Sequence, residues 1–188
     1  MSQVFDVIED YNVICTIGNH ELNFLMEHDG VKRCNSKARH INHDRMASYS
    51  IGEQDRILTH LRSMYNVIVV DIELKTGEIE RWCLSHAPVK GYEQAWPFHG
   101  LQSRNAWTYC SRTEPYDETY LHSDDRAAHG HQHWNYIPIE DQIAQILAGE
   151  RKTLNVDGGC VYGGELAAVN LNSLFALKIG AYESYWKQ

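Results

Sequence analysis

The spacing of apolar positions changes along the chain, and each spacing predicts an element. Val4, Phe5, Val7 and Ile8 share one face of a helix over residues 2–10. Val13-Ile14-Cys15-Thr16-Ile17 is a short apolar run that breaks at Gly18 and reads as a buried strand. A second helix is predicted over residues 21–28. Over residues 53–65, Ile57, Leu58 and Leu61 fall on one helical face. The stretch "YNVIVVDIELKTGEIERWCLSHAP" predicts a hairpin, two β-rich runs around a Thr76-Gly77 turn, with His86 at the tip of the second strand. Residues 88–118 are rich in Trp, Tyr and Gly and show no clear period. A short helix is predicted over 139–149. The tail "TLNVDGGCVYGGELAAVNLNSLFALKIG" alternates apolar runs with paired glycines, a pattern of strands and tight turns. No repeat, low-complexity tract or linker interrupts the pattern, so residues 1–188 read as a single domain of mixed α/β (α+β) class.

Composition narrows the function classes. The 188 residues are 43% hydrophobic and 22% charged, ordinary for a globular chain with a real core. A net charge of −8 gives no general nucleic-acid surface. The local basic stretch holding Lys32, Arg33, Lys37, Arg39 and Arg45 reads as a solvated face. No apolar run approaches the roughly 20 residues of a membrane span. The opening "MSQVFDVIED" lacks the basic and apolar regions of a signal peptide. Cys15, Cys34, Cys83, Cys110 and Cys160 form no CxxC pair, which fits reduced thiols and a cytoplasmic setting.

The 11 histidines matter by their placement. Asn19-His20-Glu21, Ser85-His86-Ala87 and the "AHGHQHWN" stretch with His129, His131 and His133 each follow a predicted strand. Strand-end loops are where sites are assembled, and imidazole and amide oxygen suit divalent first-row metals. Taken singly, each cluster also has a plain structural reading. A lone buried histidine is usually a hydrogen-bonded core residue, "GHQH" can be a polar turn, and Asp157-Gly158-Gly159 can be a turn and nothing more.

The order "GNHE", "SHAP", "GHQH", "DGGCVYGGELAAV" resembles the second half of the calcineurin-like metallophosphoesterases. The likeness is to the bacterial and bacteriophage serine/threonine-type phosphatases and their relatives that cleave bis-nucleoside tetraphosphates. The ending "DGGCVYGGELAAVNL" follows that group's D-T-G-C-V-Y-G-G-x-L-x-A-L stretch almost letter by letter. The resemblance implies a partial metallophosphoesterase β-sandwich flanked by helices. It implies two divalent ions, Mn²⁺ first among Mn, Fe, Zn, Ni and Mg, roughly 3.5–4 Å apart and acting on a phosphoester. By the same resemblance Asn19, His86 and His131 are ligands of the second metal, and His133 is a further candidate ligand. His20 is the general acid or a phosphate hydrogen-bond donor, and Glu21 holds the loop. Arg112 grips phosphate in its planar fork, with Arg104 and Arg126 as alternatives. Asp157 stabilises the closing turn.

The family's first motifs, G-D-x-H-G and G-D-x-x-D-R-G, are absent from these residues. Asp6, Glu9 and Asp10 sit on a predicted helix and are poor substitutes. The expectation is an enzyme subunit cut just after the bridging aspartate, whose first-metal site and open strand edge are completed by a partner chain or by homo-oligomer formation. The substrate is a phosphoprotein or a nucleotide polyphosphate. A catalytically inactive fragment that binds metal or phosphate is the alternative, and a purely structural subunit is a third.

Overall fold

The computed structural model describes residues 2–30, 44, 46–74, 76–87, 121, 125–133 and 137–181. These residues group into two compact units, one up to Asn66 and one from Val67 onward. No helix among them is long and apolar enough to cross a membrane.

The first unit is helical. Helix α1 spans Ser2–Asp10, α2 spans Asn19–His28 and α3 spans Ile51–Ser63. Ser50 caps α3: its Oγ accepts the Glu53 N–H, and the Glu53 carboxylate accepts the Ser50 N–H at 3.0 Å. The predicted face of α3, Ile57, Leu58 and Leu61, is buried. Arg56 ties α1 to α3 through Asp6 at 2.8 Å and Glu9 at 2.6 Å, while His60 meets Glu9 at 2.6 Å and stacks on Phe5. Asp6 and Glu9 are therefore engaged in holding the helices together.

The run Val13–Ile17 differs from the buried strand its apolarity predicts. Among the described residues it pairs at one point, Thr16 with Tyr65, through Tyr65 N–H to Cys15 O (3.0 Å) and Ile17 N–H to Tyr65 O (2.8 Å). Ile17 is buried, but Val13 is 44% exposed and Ile14 63%. Apolarity shows what a segment would bury; pairing requires a neighbouring strand, and among the described residues a single bridge is made.

The second unit is a sheet in the order β1-β2-β3-β4. Strands β1 (Val67–Glu73) and β2 (Ile79–Ser85) form the predicted hairpin, with Gly77 at φ +83 in the turn. Strand β3 (Asp125–His129) runs parallel to β2, and β4 (Thr153–Asn155) parallel to β3, joined by α4 (Ile139–Leu147). The tail closes as an antiparallel ribbon, β5 (Glu165–Asn170) and β6 (Phe175–Gly180). Alternation decides what each sheet face meets. Val70, Trp82, Leu84, Ala128 and Leu154 pack with Ile139 and Ile146 of α4 and with Ala167, Val169 and Ala176 of the ribbon. Val67, Val69, Cys83 and Ala127 occupy the other face with Leu121. The architecture is the mixed α/β arrangement predicted. The outer face of the ribbon is apolar and open: Leu166, Phe175, Leu177 and Ile179 are each 60–69% exposed.

Candidate metal centre

Parallel neighbours end on the same side of a sheet, and that is how two distant motifs meet here. In register, Ser85 of β2 lies beside His129 of β3, and His129 beside Asn155 of β4. The residues that follow each strand therefore gather at one edge, the usual place for a site in such sheets. "SHAP" supplies His86 there, its turn shaped by the Ser85 hydroxyl donating to Ala87 O at 2.7 Å. "GHQH" supplies His131. Gly130 N–H donates to His86 O at 3.0 Å and locks the two loops together.

His86 Nε2 stands 3.0 Å from His131 Nδ1, with ring centroids 4.7 Å apart and planes tilted by 53°. Two imidazoles bound to one ion at about 2.0–2.1 Å, at angles between square and tetrahedral, place their nitrogens roughly 2.9–3.4 Å apart. The contact is a hydrogen bond between the two rings, and its length also falls within the range of two nitrogens sharing one ion. His131 is held at φ +69, a left-handed conformation that costs a non-glycine residue about 1–3 kcal/mol and tends to occur where function over-determines the backbone. Among the described residues no three His, Cys, Asp or Glu side chains cluster as a metal site. The two imidazoles alone do not make up a coordination sphere.

The remaining histidines of the motif have separate settings. His129 is 4% exposed, and its Nδ1 donates to Gly130 O at 3.0 Å. Burial holds its pKa below the ordinary imidazole value, so it is a neutral core residue. His133 stacks on Tyr162 with centroids 4.1 Å apart, and Gly159 lies beneath it at φ +69. A Cβ on Gly159 would stand 3.3 Å from the His133 Cβ, so "DGGCVYGG" forms the floor under "GHQH". Asp157 does what its turn predicts: its Oδ1 accepts the Gly159 N–H at 3.0 Å.

Asn19 and His20 lie in the first unit, where "GNHE" is the start of a helix and not a free loop. Gly18 is the N-cap, Asn19 the half-buried first residue of α2, and His20 exposed. Glu21 accepts the Gly18 N–H at 3.1 Å, the helix-opening role of a carboxylate at that position. Arg112 and Arg104 lie outside the described residues. Arg126 sits at the second position of β3, beside Trp82 in register, about 10 Å along the strand from His129. Its guanidinium is 3.7 Å from Glu80. Residue patterns did not single out Asn155, Gln142 or Tyr162. The available signal for Gln142 was a polar residue inside the apolar stripe Ile139, Ile143, Ile146 of α4.

No protein-family model matches the chain, and no curated protein matches it significantly. Among solved structures it resembles the crystal structure of a proposed diadenosine tetraphosphatase. The TM-score is 0.57 and the identity 11%, over 95% of this chain and 72% of the other. The chain has that fold. More than a quarter of the other chain has no counterpart in it.

Proposed function

We propose that this chain is a metal-dependent phosphoester hydrolase of the metallophosphoesterase type, which uses His86 and His131 to hold a divalent cation, Mn²⁺ first. The 3.0 Å approach of two imidazole nitrogens from separate motifs carries this reading. A bound divalent ion offsets phosphate charge and makes water a better nucleophile at neutral pH. The family resemblance assigns the other parts. Asn19 is a further ligand, His133 a candidate one, His20 protonates the leaving oxygen, and Arg112 grips phosphate. The substrate class that the fold neighbour's description favours is a nucleotide polyphosphate; a phosphoprotein is the competitor.

The first-metal carboxylates are proposed to come from residues outside this sequence, in a partner chain. Asp6 and Glu9 support this, because both are committed to Arg56. So does the edge at Ile14 and Thr16. Cys15 and Ile17 use one side of the segment for Tyr65, and among the described residues the backbone groups of Ile14 and Thr16 have no main-chain partner. An added strand would satisfy them and cover Val13 and Ile14. The same features favour the second reading, a chain that binds metal without turnover when alone.

Thermal unfolding with Mn²⁺ tests the cation assignment. An ion at 100 times its Kd adds about 2.7 kcal/mol to stability, a melting rise of several degrees. The expected rise is present in the native chain and reduced in His131→Ala. Equal rises in both proteins contradict the assignment.

A further inference from the structure

Gln142 is fully buried in the apolar stripe of α4, and Asn155 ends β4 with 3% exposure. We infer that these two amides are positioning residues that hold the His131 imidazole against His86, an inference that rests on the cation reading above.

A leucine would pack at position 142 without the desolvation cost of an amide, so what the amide adds is its hydrogen bonds. Gln142 Nε2 donates to Ile137 O at 2.6 Å and to Asn155 O at 3.0 Å, and its Oε1 accepts the Asn155 N–H at 2.7 Å. That fixes Asn155 from behind. Asn155 then works forward on two loops. Its Nδ2 donates to Gln132 O at 3.1 Å, and its Oδ1 accepts the Asp157 N–H at 3.0 Å. Asp157 in turn caps Gly159, the residue beneath His133.

His131 is thereby spanned between two pins. On one side Gly130 N–H is bound to His86 O, and on the other Gln132 O is bound to Asn155. Between them His131 must keep its left-handed backbone, at φ +69. Releasing the Gln132 carbonyl lets that backbone relax toward ordinary φ, and the imidazole leaves its place 3.0 Å from His86. Groups that orient a ligand from behind typically change metal affinity 10–100-fold when removed.

Co²⁺ titration of the full chain, followed by visible absorption, tests this. The proteins are wild type, Asn155→Ala, Gln142→Leu, and Leu154→Ala as a core lesion that leaves both amides in place. The expected result is a 10–100-fold weaker Co²⁺ affinity and an altered band shape in Asn155→Ala, with a loss in the same direction in Gln142→Leu. Leu154→Ala lowers the melting temperature and leaves the affinity unchanged. If Asn155→Ala does not fold, Asn155→Ser and Gln142→Leu carry the comparison. Wild-type affinity in the folded amide variants overturns the inference, as does an equal loss in Leu154→Ala, which would mean general loosening. Wild-type protein that develops no cobalt absorption overturns the cation reading itself, a separable outcome.

Discussion

At the residue scale, the chemistry available to each titratable group follows from what it touches. Glu9 is the clearest case among the described residues. Arg56 and then His60 pull its pKa from 4.5 down to about 2. A depressed carboxylate stabilises the folded state above its unfolded pKa and loses that contribution as the pH falls through the folded one. The α1–α3 contact should therefore hold at pH 5 and above and weaken between about 4.5 and 2. The pair faces solvent, so high salt should blunt the effect. Circular dichroism across that range checks it: Glu9→Gln should flatten the pH dependence, and an unchanged profile would show that other groups control acid unfolding. His86 and His131 are the second case. Each alone has the bland reading of a loop histidine; the 3.0 Å approach of their nitrogens is what the proposed cation site rests on.

At the scale of elements, the helix over 139–149 and the hairpin around Gly77 were legible because their apolar periods match faces that the structure buries; the helix over 2–10 also forms, but of its predicted face Phe5 is buried while Val4 is 60% and Val7 53% exposed. His86 at a strand tip was legible for the same reason. The run 13–17 forms a single parallel bridge among the described residues and not the full strand expected, because a strand needs a partner as well as an apolar sequence. "GNHE" opens a helix at Asn19, two residues earlier than the period alone suggested, because Glu21 completes the first turn. The paired glycines of the tail were read as turns; their detailed reason is close approach. Glu165 N–H donates to Gly158 O at 3.0 Å, Gly164 N–H donates to Gly159 O at 3.0 Å, and a Cβ at Gly164 would run into Gly158 O. Gly164→Ala should destabilise the second unit by on the order of 2–4 kcal/mol, because the clash is with backbone that cannot move aside. Denaturant melting measures this, and a change within 0.5 kcal/mol, the usual range for surface positions, would show that the turn can relax.

For the whole molecule, the sequence carried the order of the motifs, and the parallel pairing of β2 with β3 turned two of them into a geometry. It could not carry the amide bonds behind that geometry. Gln142 and Asn155 are ordinary letters until α4 and β4 are adjacent. Nor do the letters tell that Asp6 and Glu9 are engaged by Arg56, which needs α1 to lie against α3. Among the described residues the edge at Ile14 and Thr16 has no main-chain partner and the outer face of the ribbon is apolar and exposed, and both are surfaces that pairing or packing would stabilise. One cation is proposed to be shared by the imidazoles of two separate motifs. Pulsed electron paramagnetic resonance of the Mn²⁺-loaded protein, with its histidines labelled by ¹⁵N, counts the imidazole nitrogens bound to the ion. At least two are expected in the wild type and one fewer in His131→Ala. A single coordinated imidazole in the wild type, or a count unchanged by the substitution, would contradict it.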